Sequence, residues 1–183
     1  YGIYQVVGGV VSMFSVISAS LSSAISRFLT FEIGHGDKER LKKIFATSIV
    51  IQFTIATIIL ILSEIIGIWF METKMQIPPE RLNAARWVLH CSLFTFCINL
   101  LSVPYNACII AHERMSAFAY IGIFDAIMKL LICYSLAISP IDKLISFALL
   151  TTTLALIIRI IYGVYCRHHF EESHVKISFD KNI

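Results

Sequence analysis

Residues 44–70 read IFATSIVIQFTIATIILILSEIIGIWF. From Ile44 to Ser63 the stretch carries no charged side chain; Glu64 is its single one. A helix rises about 1.5 Å per residue and the hydrocarbon core of a bilayer is about 30 Å thick, so about 20 apolar residues cross it. The run Ile58-Ile59-Leu60-Ile61-Leu62 puts apolar groups on both faces of any strand, without the alternation of a barrel wall. In hydrocarbon only helices and closed barrels satisfy their own backbone groups. The spacing therefore predicts a membrane-spanning helix, ended by Trp69-Phe70 as an interfacial aromatic anchor.

Working outward, four similar runs follow the same logic: Tyr1 to Phe31, Ala84 to Ala111, Met115 to Ile138 and Leu144 to Tyr165. The expected fold is all-α, a polytopic transmembrane helical bundle of about five spanning helices. Composition agrees: 57% of residues are hydrophobic and only 15% charged, where a soluble domain has about 25% charged. The net charge of +3 is spread over several loops, so no basic stripe marks a nucleic-acid partner. Cys91, Cys97, Cys108, Cys133 and Cys166 form no C-x-x-C pair; they are read as reduced, structural residues rather than a disulfide framework or zinc site.

The breaks between runs set the orientation. Gly34 and Gly36 are expected to make the first turn, and Lys38, Arg40, Lys42 and Lys43 follow at once. Such a cluster beside a span marks the cytoplasmic side. With that turn inside, the inner breaks and tail hold Lys38, Arg40, Lys42, Lys43, Arg114, Arg167, Lys176 and Lys181, and the outer breaks hold Lys74, Arg81, Arg86 and Lys143. Eight against four supports the assignment, with Tyr1 outside and Ile183 inside. Pro78-Pro79 ends one segment, and Pro79 suits the first turn of the next. Pro104 falls inside the third run, where it removes a backbone hydrogen bond. The chain has no initiating Met and both ends look cut, so it is expected to be a segment of a longer protein.

Function should lie in the polar groups inside these runs. Asp125 and Lys129 sit at i, i+4, about 15 Å or more into the fourth run. Charges at that depth face a bundle interior or a cavity. They either neutralise each other and fix packing, or bind an ion or an anionic head group, with Asp125 the ion-coupling candidate. In the third run Ser92, Thr95, Asn99, Ser102 and Asn106 recur every three or four residues on one face. They either bond neighbouring helices or line an aqueous path, and Tyr105 beside them offers sugar-stacking surface. In the first run Gly8, Ser12, Ser15, Ala19, Ser22 and Ser26 share a face of small residues, expected as a packing seam. Arg27 and Arg159 lie near the inner ends of the first and fifth runs. Each either snorkels to the surface or turns inward to clamp phosphate with its bidentate fork; Arg27 shares a face with Ser20 and Ser23, Arg159 with Thr152, Ala155 and Tyr162. Glu64 is expected to be solvated near the outer interface. His168, His169 and His174 read as an exposed linker rather than a metal site. No phosphate loop, nucleophile elbow or H-E-x-x-H helix is present, so no enzyme, metal site or cofactor is expected.

Two segments carry a resemblance. Ser23-Ala24-Ile25-Ser26-Arg27-Phe28, followed by Gly34-His35-Gly36-Asp37-Lys38-Glu39-Arg40-Leu41-Lys42-Lys43-Ile44-Phe45, resembles the helix end and cytoplasmic loop of bacterial polysaccharide flippases, the O-antigen and teichoic-acid exporters. Pro104-Tyr105-Asn106-Ala107, then Ile110-Ala111-His112-Glu113-Arg114-Met115, and the opening Tyr1-Gly2-Ile3-Tyr4 look like the same family. That family belongs to the multidrug/oligosaccharidyl-lipid/polysaccharide exporter superfamily, whose members have two six-helix lobes around a central cavity and work by alternating access.

The resemblance implies that residues 1–165 are helices two to six of an N-terminal lobe. Residues 166–183 then begin the cytoplasmic connector to a second lobe. It implies a flippase that moves an undecaprenyl-pyrophosphate-linked oligosaccharide across the bacterial inner membrane for polysaccharide or lipopolysaccharide biosynthesis. Its partners would be that lipid-linked oligosaccharide, membrane lipid and glycan polymerisation proteins. Arg27 best matches the family's basic cavity residues. Asn99, Lys129 and Arg159 join it as substrate-binding candidates on the depth and spacing given above. A multidrug or metabolite exporter of the same superfamily and a non-transporting scaffold subunit stay open as alternatives.

Overall fold

The computed structural model describes residues 2–73, 78–140 and 142–170. They form five helices: α1 (Gly2–His35), α2 (Lys38–Thr73), α3 (Pro79–Ala111), α4 (Met115–Ile138) and α5 (Lys143–His169). No strand occurs among the described residues. All five are long and apolar enough to cross a membrane. The fold is the expected all-α transmembrane bundle, and the chain is a multi-pass membrane protein.

Local chemistry sets the breaks. Gly36 alone makes the first turn, at φ 75°, a backbone region that costs a side-chain-bearing residue strain. Its N–H bonds back to the carbonyls of Glu32 and Ile33. Asp37 then caps α2, its Oδ1 accepting from Arg40 N–H at 3.2 Å. Gly34 stays helical, contrary to expectation, so α1 continues through Glu32 and Ile33 to His35. The apolar run stops at Phe31 because the membrane stops there, while the helical hydrogen bonds continue into the interface. Pro79 occupies the first turn of α3, and α3 runs unbroken through Pro104. The α3–α4 break closes with Glu113 at φ 56°. Asp142 caps α5 by accepting from Leu144 N–H. α5 extends past Tyr165 to His169, so Arg167, His168 and His169 form its last turn. His174, Lys176 and Lys181 lie outside the described residues, as do Tyr1 and Lys74.

α3 is the axis of the bundle. It touches every other helix; beyond that, α1 packs only on α2, and α4 only on α5. In α3 56% of the spanning window is buried, against 6–11% in the others, so the remaining helices present mostly apolar outer faces. The α1–α2 and α3–α4 breaks, with the end of α5, share one end of the bundle, the basic end. There Leu29, Leu41, Phe45, Cys108, Ile109 and Cys166 form the largest core cluster. At the far end Met71, Ala85, Leu89 and Leu93 form another, with Gly67 admitting Leu89: a Cβ on Gly67 would lie 3.0 Å from Leu89 Cδ2.

The α1 seam differs from the expected stripe of small residues. Ser22 and Ser26 are half-buried, but Ser12, Ser15 and Ala19 are exposed. The packed face is Leu21, Ile25, Leu29 and Ile33, because bulky aliphatic groups fill the angle between α2 and α3 better than hydroxyls do. All five cysteines are free. Glu64 is not simply solvated: its Oε1 lies 2.6 Å from Nδ1 of His90 on α3.

Candidate functional site

Arg27 projects from the face of α1 opposite its seam. Ala19, Ser20, Ser23, Ala24 and Arg27 make a shallow, open face on α1 alone, and all five are exposed. The i, i+4, i+8 spacing of Ala19, Ser23 and Arg27 puts the cation at the basic end of a strip of small side chains. A polar or acyl-chain ligand can approach the backbone along that strip and reach the guanidinium at its end. This is the face expected from Ser20 and Ser23.

Lys129 and Asp125 meet on α4, Nζ to Oδ2 at 2.7 Å. The Lys129 side chain is 60% exposed and that of Asp125 30%. The pair therefore lies on the outer surface of the five-helix body. A charge pair near the middle of a span faces protein or water rather than lipid, so this face of α4 belongs against a polar space or a further polar surface.

The α3 stripe divides. Ser102 is buried and bonds the carbonyl of Ile98. Thr95 bonds the carbonyl of Cys91 and meets Thr152 Oγ1 of α5 at 2.9 Å. Thr95 thus ties α3 to α5, while Ser102 bonds back within α3 itself. Asn99 is exposed and Ser92 half-buried, so the open part of the stripe is Asn99. Asn106 is half-buried, and its Oδ1 has no hydrogen-bond partner.

Arg159 turns inward rather than snorkelling, and its guanidinium settles on an aromatic ring of α3. Its guanidinium carbon lies 4.1 Å above the ring centroid of Tyr105, a cation–π arrangement worth about 0.5–2 kcal/mol. The edge of Phe45 meets the same ring, centroids 5.4 Å apart at 89°. Gly163 leaves the room, since a Cβ there would sit 3.0 Å from Arg159 Nη1. Phe45, Tyr105 and Arg159 thus link α2, α3 and α5. Tyr105, read as sugar-stacking surface, carries a cation instead. Sequence spacing alone does not pair a residue of α3 with one of α5, and the glycine four residues after Arg159 was the one available signal.

Two polar side chains are buried with atoms left unpaired. Glu32 on α1 is 8% exposed and its Oε2 has no hydrogen-bond partner. Gln52 on α2 is fully buried, with neither amide atom paired. Among the described residues no group of three or more His, Cys, Asp or Glu side chains is placed to hold a metal ion.

The candidate positions do not converge on one enclosed pocket. Arg27 and Asn99 are open on different helices, Asp125–Lys129 lies on α4, and Arg159 is bound to Tyr105. Such dispersed polar faces on spanning helices suit a path through a membrane better than a single tight binding site. No curated protein and no solved structure matches the chain. The MatE family model matches residues 2–135, most of the described membrane region. With its spanning helices and membrane-depth charges, the chain belongs to the MatE family, transporters of the multidrug/oligosaccharidyl-lipid/polysaccharide exporter superfamily.

Proposed function

We propose that this MatE transporter flips a lipid-linked, pyrophosphate-bearing oligosaccharide from the inner to the outer leaflet of a bacterial cytoplasmic membrane. The observation that carries the reading is the strip of small side chains on α1 that ends in exposed Arg27. A glycan cannot cross hydrocarbon unaided and needs a polar route, which Ser20, Ser23 and Asn99 begin to supply. A pyrophosphate needs a cation with fixed donor geometry, which a guanidinium provides. The isoprenoid tail can remain in lipid beside the apolar faces of α1 and α4. Asp125 is the group we assign to ion coupling, with Lys129 beside it. Arg159, held on Tyr105, presents its N–H edges as a secondary anion contact near the basic end.

One observation favours a multidrug or metabolite exporter instead. The Lys129 charge is matched by Asp125 at 2.7 Å, so that part of the surface offers little net attraction for an anion. Deletion and complementation separate the two readings. Loss of the protein should abolish surface polysaccharide and cause inner-leaflet lipid-linked precursor to accumulate. Wild type should restore both, and Arg27→Ala, at equal membrane abundance, should not. Unchanged surface glycan, together with new sensitivity to cationic drugs, would establish the exporter reading.

A further inference from the structure

The far-end seam between α2 and α3 holds two contacts between oppositely charged or chargeable groups. Arg86 Nη2 lies 2.6 Å from Glu72 Oε1, and Glu64 Oε1 lies 2.6 Å from His90 Nδ1. Between them, Gly67 receives Leu89. The chain's two tryptophans fix the depth. Trp69 and Trp87 are 58% and 57% exposed on the same two helices, as interfacial aromatics are. Glu64 is five residues inward from Trp69 and His90 three inward from Trp87, about 7.5 Å and 4.5 Å along the axis. The pair therefore sits just beneath the aromatic belt, within reach of water on that side and far from the basic end.

We propose that Glu64 and His90 form a proton-binding site open to the side of the membrane opposite the basic turn, the outer side by the charge rule. In both charge states of the ring, Nδ1–H donates to the Glu64 carboxylate. The proton arrives at Nε2 on an imidazole whose side chain is 48% exposed. Uptake changes the pair from a net charge of −1 to a neutral ion pair. At the edge of hydrocarbon, an unmatched charge is costly and a matched pair much less so. External acid therefore tightens the α2–α3 seam, and external alkali loosens it.

Charged groups nearby do not substitute for either partner. On α2 no charged residue lies between Lys43 and Glu64, and Glu72 is held by Arg86. On α3 the other titratable side chains at this end are Glu80, Arg81, Arg86 and Cys91. Among the described side chains α1 has no charged residue before Arg27. α5 offers only Lys143, preceded by Asp142. α4 does not touch α2, and its charges are the mutually paired Asp125 and Lys129. The inference is independent of what the transporter carries.

Trp87 is a built-in reporter, because it lies three residues before His90 on one helical face and an imidazolium quenches indole emission. The protein, with Trp69→Phe and any tryptophan outside this chain also replaced, is inserted in liposomes in one orientation. Emission is read while the outer pH falls from 8.5 to 5.5 and the inner pH is clamped, then in the reverse arrangement. The expected result is a fall in emission on outer acidification only, lost in His90→Gln. In Glu64→Gln, which takes away the carboxylate 2.6 Å from Nδ1, the response should move to a different pH range. Should His90→Gln fail to insert, the side-specific response and the Glu64→Gln comparison decide alone. A flat response, one that persists in His90→Gln, one unmoved by Glu64→Gln, or one driven equally from the basic side would overturn the proposal.

Discussion

Gln52 offers the sharpest test of the packing. It is fully buried, and neither Nε2 nor Oε1 has a partner. It continues the stripe Leu41, Phe45, Ser48, Gln52 and Ala56, the buried face of α2. An unpaired buried polar group costs about 1–3 kcal/mol. Membrane chains also find partners for such groups when unfolded, which lowers the net effect. Gln52→Met removes both unpaired atoms, keeps nearly the same length and uses a side chain that adapts to irregular space. The expected gain is about 1–2 kcal/mol. At roughly 2–4 °C per kcal/mol for a chain of this size, the melting temperature should rise by roughly 2–8 °C. The assay is thermal unfolding in nanodiscs at one lipid composition, with transport measured on the same preparations. A fall in melting temperature of more than 2 °C would mean that the amide has a partner in the folded state after all. A more stable variant with reduced transport would locate that partner in another state of the transport cycle.

Three further outcomes follow from named contacts. Gly67→Ala places a methyl 3.0 Å from Leu89 Cδ2 inside the Met71–Ala85–Leu93 cluster; overpacking of about 1–3 kcal/mol is offset by about 1 kcal/mol of helix propensity, so the net loss should be about 0–2 kcal/mol. Adding Leu89→Ala should restore part of that loss, as a double-mutant cycle in nanodisc melting can read. Asp125→Asn leaves Lys129 without its 2.7 Å partner and should lower membrane abundance more than the double change Asp125→Asn/Lys129→Gln; equal abundance would show that the pair is not sheltered from water. Tyr105→Leu removes the ring beneath Arg159 and should destabilise by about 0.5–2 kcal/mol beyond the loss of packing. That excess should vanish when Arg159 is already Gln.

The extent to which the sequence revealed these features depended on whether each is local. α4 begins and ends where its apolar run does, because Arg114 and Ser139-Pro140 stop both the hydrophobicity and the helix. α1, α2 and α5 run past their apolar runs, because helical hydrogen bonds do not require lipid. The Asp125–Lys129 contact was readable, since i, i+4 spacing on one helix fixes it. Arg27 with Ser20 and Ser23 was readable for the same reason. Glu64–His90 and Tyr105–Arg159 were not, because each joins two helices whose relative depth no local pattern encodes. The α1 seam was misread because small residues permit close packing without requiring it, and Leu21, Ile25 and Leu29 filled the space instead.

The most direct test of the transport assignment is movement of the substrate itself. The native protein is reconstituted in liposomes whose lipid-linked oligosaccharide is first restricted to one leaflet. An impermeant glycosidase then reports the fraction reaching the other leaflet, for wild type and for Arg27→Ala. Wild type should expose the glycan at a rate well above empty liposomes, and Arg27→Ala should approach the empty rate. A wild-type rate no faster than empty liposomes, from protein that extrudes a cationic drug in the same vesicles, would contradict the assignment.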